Sequence, residues 1–135
     1  MCPADFLAFL DVGSNKNELS AFLTKQMSLD APLLLHDDQE RIIGGGFRGK
    51  TVKVTKNSVS NIHELDGDLE EADQRMMLHM KHAVDVGNRK YGLFLATDTD
   101  IAVTSIASFN VLGTCEVYQC INLRLVSLHA IYHQL

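Results

Sequence analysis

LEEADQRMMLHMKHAVDVGNRKYGLFLATDTD, residues 69–100, is the stretch whose reading decides the fold. Asp68 can cap a helix just before it, and Glu71 follows three residues later, as in a capping box. Gly87 stands where that helix would stop, so the pattern predicts a helix over 68–87. Ala72, Met76, Met80, Ala83 and Val84 recur at helical spacing and form its apolar face, with Met76, Met77 and Met80 as core filling. Tyr91 to Ala96 follows as a short apolar run, the pattern of a strand buried on both faces. Helix then buried strand implies an α/β fold.

That order gives the acids of the stretch a shared location. A helix running away from the carboxyl edge of a sheet, followed by a parallel strand returning to it, brings the helix start and the strand end together. Glu71 and Asp73 lie at the first, Asp98 and Asp100 at the second. Crowded carboxylates repel unless a cation sits among them, so the four acids are candidate ligands for Mg²⁺ or Mn²⁺. Paired metals on oxygen ligands can activate water for phosphodiester cleavage. The plainer alternative is that Glu70, Glu71 and Asp73 complement a helix dipole while Asp98 and Asp100 form a turn.

Working outward, residues 4–10 and 17–27 read as short helices, the second carrying Leu19, Phe22 and Leu23 and capped by Ser14 or Asn15. Pro32 is expected to begin a short strand over 33–35, followed by a turn at Asp37-Asp38-Gln39. Arg41 to Ile43 reads as a strand, Gly44-Gly45-Gly46 as a break, and Thr51, Val52 and Val54 as a return to β structure. Residues 44–51 match the phosphate-binding pattern G-x-x-x-x-G-K-[ST], which would make Lys50 and Thr51 nucleotide ligands. That motif needs a helix after it, whereas Val52-Lys53-Val54-Thr55 alternates as a strand, which favours a glycine-rich hairpin. Val117 to Val126 reads as β structure, and Ser127 to Gln134 as a final helix.

A net charge of −5 does not suggest an obligate nucleic-acid binder, since phosphate contacts want Lys and Arg. The charge is uneven, however: six acids fall within 64–73, while Arg48, Lys50, Lys53 and Lys56 follow one another with no acid between. An acidic centre beside a basic strip fits a metal-dependent enzyme acting on phosphates, in which Lys50, Lys53 or Arg75 would be candidate phosphate contacts; the plainer alternative is a solvated edge strand decorated with Lys. A 46% hydrophobic content argues against wholesale disorder, and no apolar run is long enough to span a membrane. Cys2, Cys115 and Cys120 make an odd set without Cys-x-x-Cys spacing, as expected for a reducing compartment, nucleus or cytoplasm. His79 and His82, three apart, lack a zinc motif around them.

The segment Glu70-Glu71-Ala72-Asp73-Gln74-Arg75-Met76-Met77-Leu78-His79, with Asp98-Thr99-Asp100 after the strand, resembles a group of metazoan transposon-associated proteins. Asn15-Lys16-Asn17-Glu18-Leu19-Ser20-Ala21-Phe22-Leu23 is similar to another of their segments, and Leu123 to Ile131 to their closing strand and helix. More distantly, Glu71-Ala72-Asp73 and Asp98-x-Asp100 resemble the acidic motifs of PIN-like nucleases of the flap endonuclease type. The resemblance implies an incomplete three-layer α/β/α, Rossmann-like sheet. It also implies Glu71, Asp73, Asp98 and Asp100 as metal ligands, with Asp73 and Asp98 carrying the main contacts in catalysis. DNA or RNA would be the substrate. A PIN-like domain opens with a strand ending in an Asp, and no such strand is legible before Asp11. The expectation is one partial domain over 1–135, with a variable helical and hairpin region at 1–60 and the acidic core at 61–135. Its activity would be degenerate or lost. A non-catalytic α/β interaction module is the alternative.

Overall fold

The computed structural model describes residues 5–47, 50–67 and 72–134. The chain divides into two compact units, Met1–Asp68 and Leu69–Leu135. Among the described residues, six α-helices and two three-stranded sheets make it a mixed α/β protein.

The first unit opens with α1 (Phe6–Asp11), whose start is capped by Asp5 accepting the Ala8 N–H at 3.0 Å. Helix α2 runs from Gly13 to Leu34, well beyond the expected 17–27. Neither Ser14 nor Asn15 caps it. Asn15 instead donates its side-chain amide to the Phe9 carbonyl at 2.8 Å, satisfying an orphan acceptor in the last turn of α1. Pro32 starts no strand, because it sits inside the last turn of α2. A proline within a helix costs about 3 kcal/mol. Ala31 is nonetheless buried against Ile43, Val52 and Val54, which holds the last turn on the sheet, and Ala31 O accepts the Leu35 N–H at the helix end.

The turn expected at 37–39 is present, with Gln39 N–H donating to His36 O at 3.1 Å. Strands β1 (Glu40–Phe47), β2 (Lys50–Thr55) and β3 (Val59–Asn61) then form an antiparallel meander. Strand β1 continues through the three glycines that were expected to break it. Its register with β2 shifts between Ile43 and Phe47, the irregularity that glycines inside a strand permit. A 3-10 turn at His63–Leu65 closes the unit over Thr51, whose N–H donates to Asp66 Oδ1 at 2.7 Å and whose hydroxyl donates to Leu65 O at 2.9 Å.

The second unit starts with α3 (Ala72–Asp85); the expected cap residue Asp68 and its partner Glu71 lie outside the described residues. The helix ends two residues before Gly87, at which a Cβ would stand 2.7 Å from Ala83 O. Asn88 takes a left-handed φ of 48°, and the Arg89 N–H closes on the same Ala83 carbonyl. Strand β4 (Tyr91–Leu95) pairs parallel with β5 (Glu116–Ile121), which pairs antiparallel with β6 (Arg124–Ser127). The run expected as one β segment at 117–126 is thus two strands. Asn122 and Leu123 turn between them with φ of 48° and 63°.

Helices α4 (Thr99–Ala107) and α5 (Phe109–Leu112) cross from β4 to β5, and α6 (Leu128–Tyr132) follows β6. Ser127 caps α6 by accepting the Ala130 N–H, as the expected closing helix requires. Met76, Met77, Met80 and Val84 of α3, Ile101 of α4, Phe109 and Leu112 of α5, and Leu128 of α6 meet Phe94 and Val117 in one apolar core. Gly92 permits the close approach of β4 to α3, since a Cβ there would run into Met80 Sδ. The other face of the sheet carries no helix among the described residues. Strand β4 is therefore not buried on both faces as expected: of its side chains only Phe94 is fully buried. The described residues of this unit make two layers, where three were expected.

Candidate functional site

Asp73 stands at the start of α3, and Asp98 and Asp100 follow the end of β4. Asp73 lies half-buried in the first turn of α3, its Oδ1 accepting the Gln74 N–H at 2.8 Å. Asp98 is the N-cap of α4, with its Oδ1 accepting the Asp100 N–H at 3.0 Å. Asp100 is exposed in the first turn of that helix, where a negative charge is favourable. Glu71 lies outside the described residues. Among the described residues no three His, Cys, Asp or Glu side chains converge as a metal would need. Asp98 has a structural task of its own, and the described acids alone do not make a cation cage.

The loop carrying Asp98 is tied to the sheet by Gln119. This glutamine of β5 is fully buried and donates Nε2 to Ala96 O at 2.9 Å and to Asp98 O at 2.7 Å. Two carbonyl acceptors fix which way its amide faces. Its Oε1 is buried without a hydrogen-bond partner among the described residues. No pattern in the sequence marks Gln119, because its role depends on a parallel neighbour far along the chain.

The candidate phosphate contacts belong to different units. Lys50 opens β2 and is exposed; Lys53 of the same strand is ion-paired with Glu40 of β1. Arg75 lies on α3, half-buried. Residues 48 and 49 of the nucleotide-loop pattern lie outside the described residues, and the residues on either side of them are in strands. Lys50 and Thr51 begin a strand, no helix N-terminus follows, and the Thr51 hydroxyl is already bonded to Leu65 O.

The titratable groups with a resolved environment are structural. The Thr51 N–H, and then His63, whose Nδ1 lies 3.0 Å from Asp66 Oδ2, hold the Asp66 carboxyl below its ordinary value. Burial, helped by Arg75 and His82, pushes the His79 imidazole down, and its Nε2 is buried without a partner among the described residues. Burial and the neighbouring Glu116 push the Cys115 thiol up.

The most distinctive surface is the uncovered face of the second sheet. Side chains alternate along a strand, so Gly92, Phe94, Val117, Gln119 and Val126 face the core. Tyr91, Leu93 and Leu95 of β4 and Leu125 of β6 point the other way and are exposed. In register with them stand Tyr118, opposite Leu93, and Cys120, opposite Leu95 and Leu125. A shallow depression of about 390 Å³ continues this surface at the carboxyl edge, lined by Leu95, Ala96, Thr97, Cys120, Asn122 and Leu123.

Comparison with protein-family models, with curated proteins and with solved structures found no match. Among the described residues no helix is long and apolar enough to cross a membrane.

Proposed function

We propose that this chain is a non-catalytic α/β interaction module whose working surface is the uncovered face of the β4-β5-β6 sheet. The observation that carries this reading is the row Tyr91, Leu93, Leu95 and Leu125, exposed beside a core that buries the opposite face. A contiguous exposed apolar patch marks a surface meant for contact. The reading also fits the acids, which serve helix starts, and Lys53, which is paired within its own sheet. The test is the size of the full chain in a native cell extract. The chain is expected in a particle larger than its own 15.0 kDa, and Leu95→Lys should reduce that particle. A chain that runs as a monomer in extract as well as when purified would overturn the reading.

A second reading, a divalent-cation site left from a PIN-like phosphodiesterase, draws on one observation. Helix α3 is followed directly by strand β4, the order that would return Asp98 and Asp100 to the edge where Asp73 begins the helix. Mn²⁺ binding that is lost in Asp98→Asn, together with cleavage of single-stranded or flap DNA, would establish it. Binding without cleavage would leave a cation site on a non-catalytic module.

A further inference from the structure

Exposure of an apolar sheet face is a cost unless something covers it, and the chemistry of this face narrows what that is. Tyr91 is 69% exposed, Leu93 50%, Leu95 78% and Leu125 64%, and Leu123 beside the depression is 98% exposed. At these values five large side chains present several hundred square ångströms, the order of the ~800 Å² per partner that a stable interface buries. Among the described residues of this face, Glu116 alone carries a charge, and its carboxylate accepts the Tyr118 hydroxyl at 2.8 Å. A face without lysine or arginine offers nothing to an acidic or phosphorylated partner. It also offers little repulsion to its own likeness.

Two-fold contacts place the same patch on both sides, which a charged surface opposes and an apolar one favours. From area and charge together we infer that the occupant of this face is a second copy of the chain. The two sheets pack face to face as an isologous dimer, resting on the association reading above. Sheets packed in this way lie about 10 Å apart, so Leu93, Leu95 and Leu125 of each copy become the centre of a shared apolar layer. Tyr118 and Cys120, already half-buried, lie in the same layer.

The experiment is sedimentation equilibrium of the purified full chain across a concentration series. The expected result is a discrete species of twice 15.0 kDa. Leu95→Lys and Leu125→Lys should each weaken it by about a hundredfold or more, because each places an unpaired charge in the apolar layer. Both side chains lie outside the core of their own unit, and unchanged circular dichroism and melting temperature would verify that the variants fold. Leu33→Lys, on the exposed side of α2, should leave the dimer intact. A monomeric wild type, or a dimer that responds to Leu33→Lys and not to Leu95→Lys, overturns the inference. If the purified chain is monomeric while its larger particle in extract still depends on Leu95, the second copy is wrong and the association reading stands.

Discussion

Gln119 Nε2 lies 2.7 Å from the backbone oxygen of Asp98, and that one bond couples the second strand of the sheet to the loop that starts α4. The same amide holds Ala96 O, so the end of β4 is fixed from the strand beside it. Gln119→Glu would place carboxylate oxygens against two carbonyls. We expect it to lower stability by about 2–4 kcal/mol, and Gln119→Leu, which leaves both carbonyls unpaired, by about 1–3 kcal/mol. Urea titration of the two variants ranks them, and equal stability of Gln119→Glu and the wild type would refute the coupling.

Asp98 separates a cap from a metal ligand. Asparagine caps a helix about as well as aspartate, so Asp98→Asn should shift stability by less than about 0.5 kcal/mol, whereas Asp98→Ala should cost about 0.5–2 kcal/mol. Thermal unfolding of both variants measures the difference. If Asp98→Asn were as damaging as Asp98→Ala, the charge would matter more than the cap.

Acid should loosen the first unit through Asp66. Its folded carboxyl titrates below the ordinary 3.8 of the unfolded chain. Above that ordinary value both states are ionised and the stabilisation is fully present. As pH falls through it the unfolded state takes up the proton first, so stability drops until the folded carboxyl is protonated as well. Unfolding midpoints between about pH 5 and pH 3 should therefore decline less steeply in Asp66→Asn than in the wild type.

The residues 69–100 made the order of α3 and β4 legible, because the methionine stripe and the apolar run are local patterns. Met76, Met80 and Val84 do meet the core. What stayed illegible depends on neighbours in space. Tyr91 to Ala96 reads as doubly buried because it is a short apolar run, yet whether a helix covers its second face is decided elsewhere in the chain. Residues 99–112 did carry a signal: Ile101, Ser105, Phe109 and Leu112 are buried at helical spacing behind an Asp98 cap. The glycine-rich hairpin was readable from its alternating Val52 and Val54. The length of α2 was not, since Pro32 argues locally against a helix that packing with Ile43 and Val52 sustains.

The two cysteines of the second unit should differ in reactivity. Cys115 is buried and its thiol is held protonated, while Cys120 lines the depression on the uncovered face. Iodoacetamide followed by peptide mass spectrometry, at a protein concentration low enough to leave the sheet face uncovered, should label Cys120 well before Cys115. Equal rates would place Cys115 in contact with solvent, against the packing described above.

Hydroxyl-radical footprinting of the full chain at low and high protein concentration tests the central claim most directly. Labelling of Tyr91, Leu93, Leu95 and Leu125 is expected to fall as concentration rises, while that of Phe22 and Leu33 on α2 stays constant. Labelling of the sheet face that does not change with concentration would contradict the account.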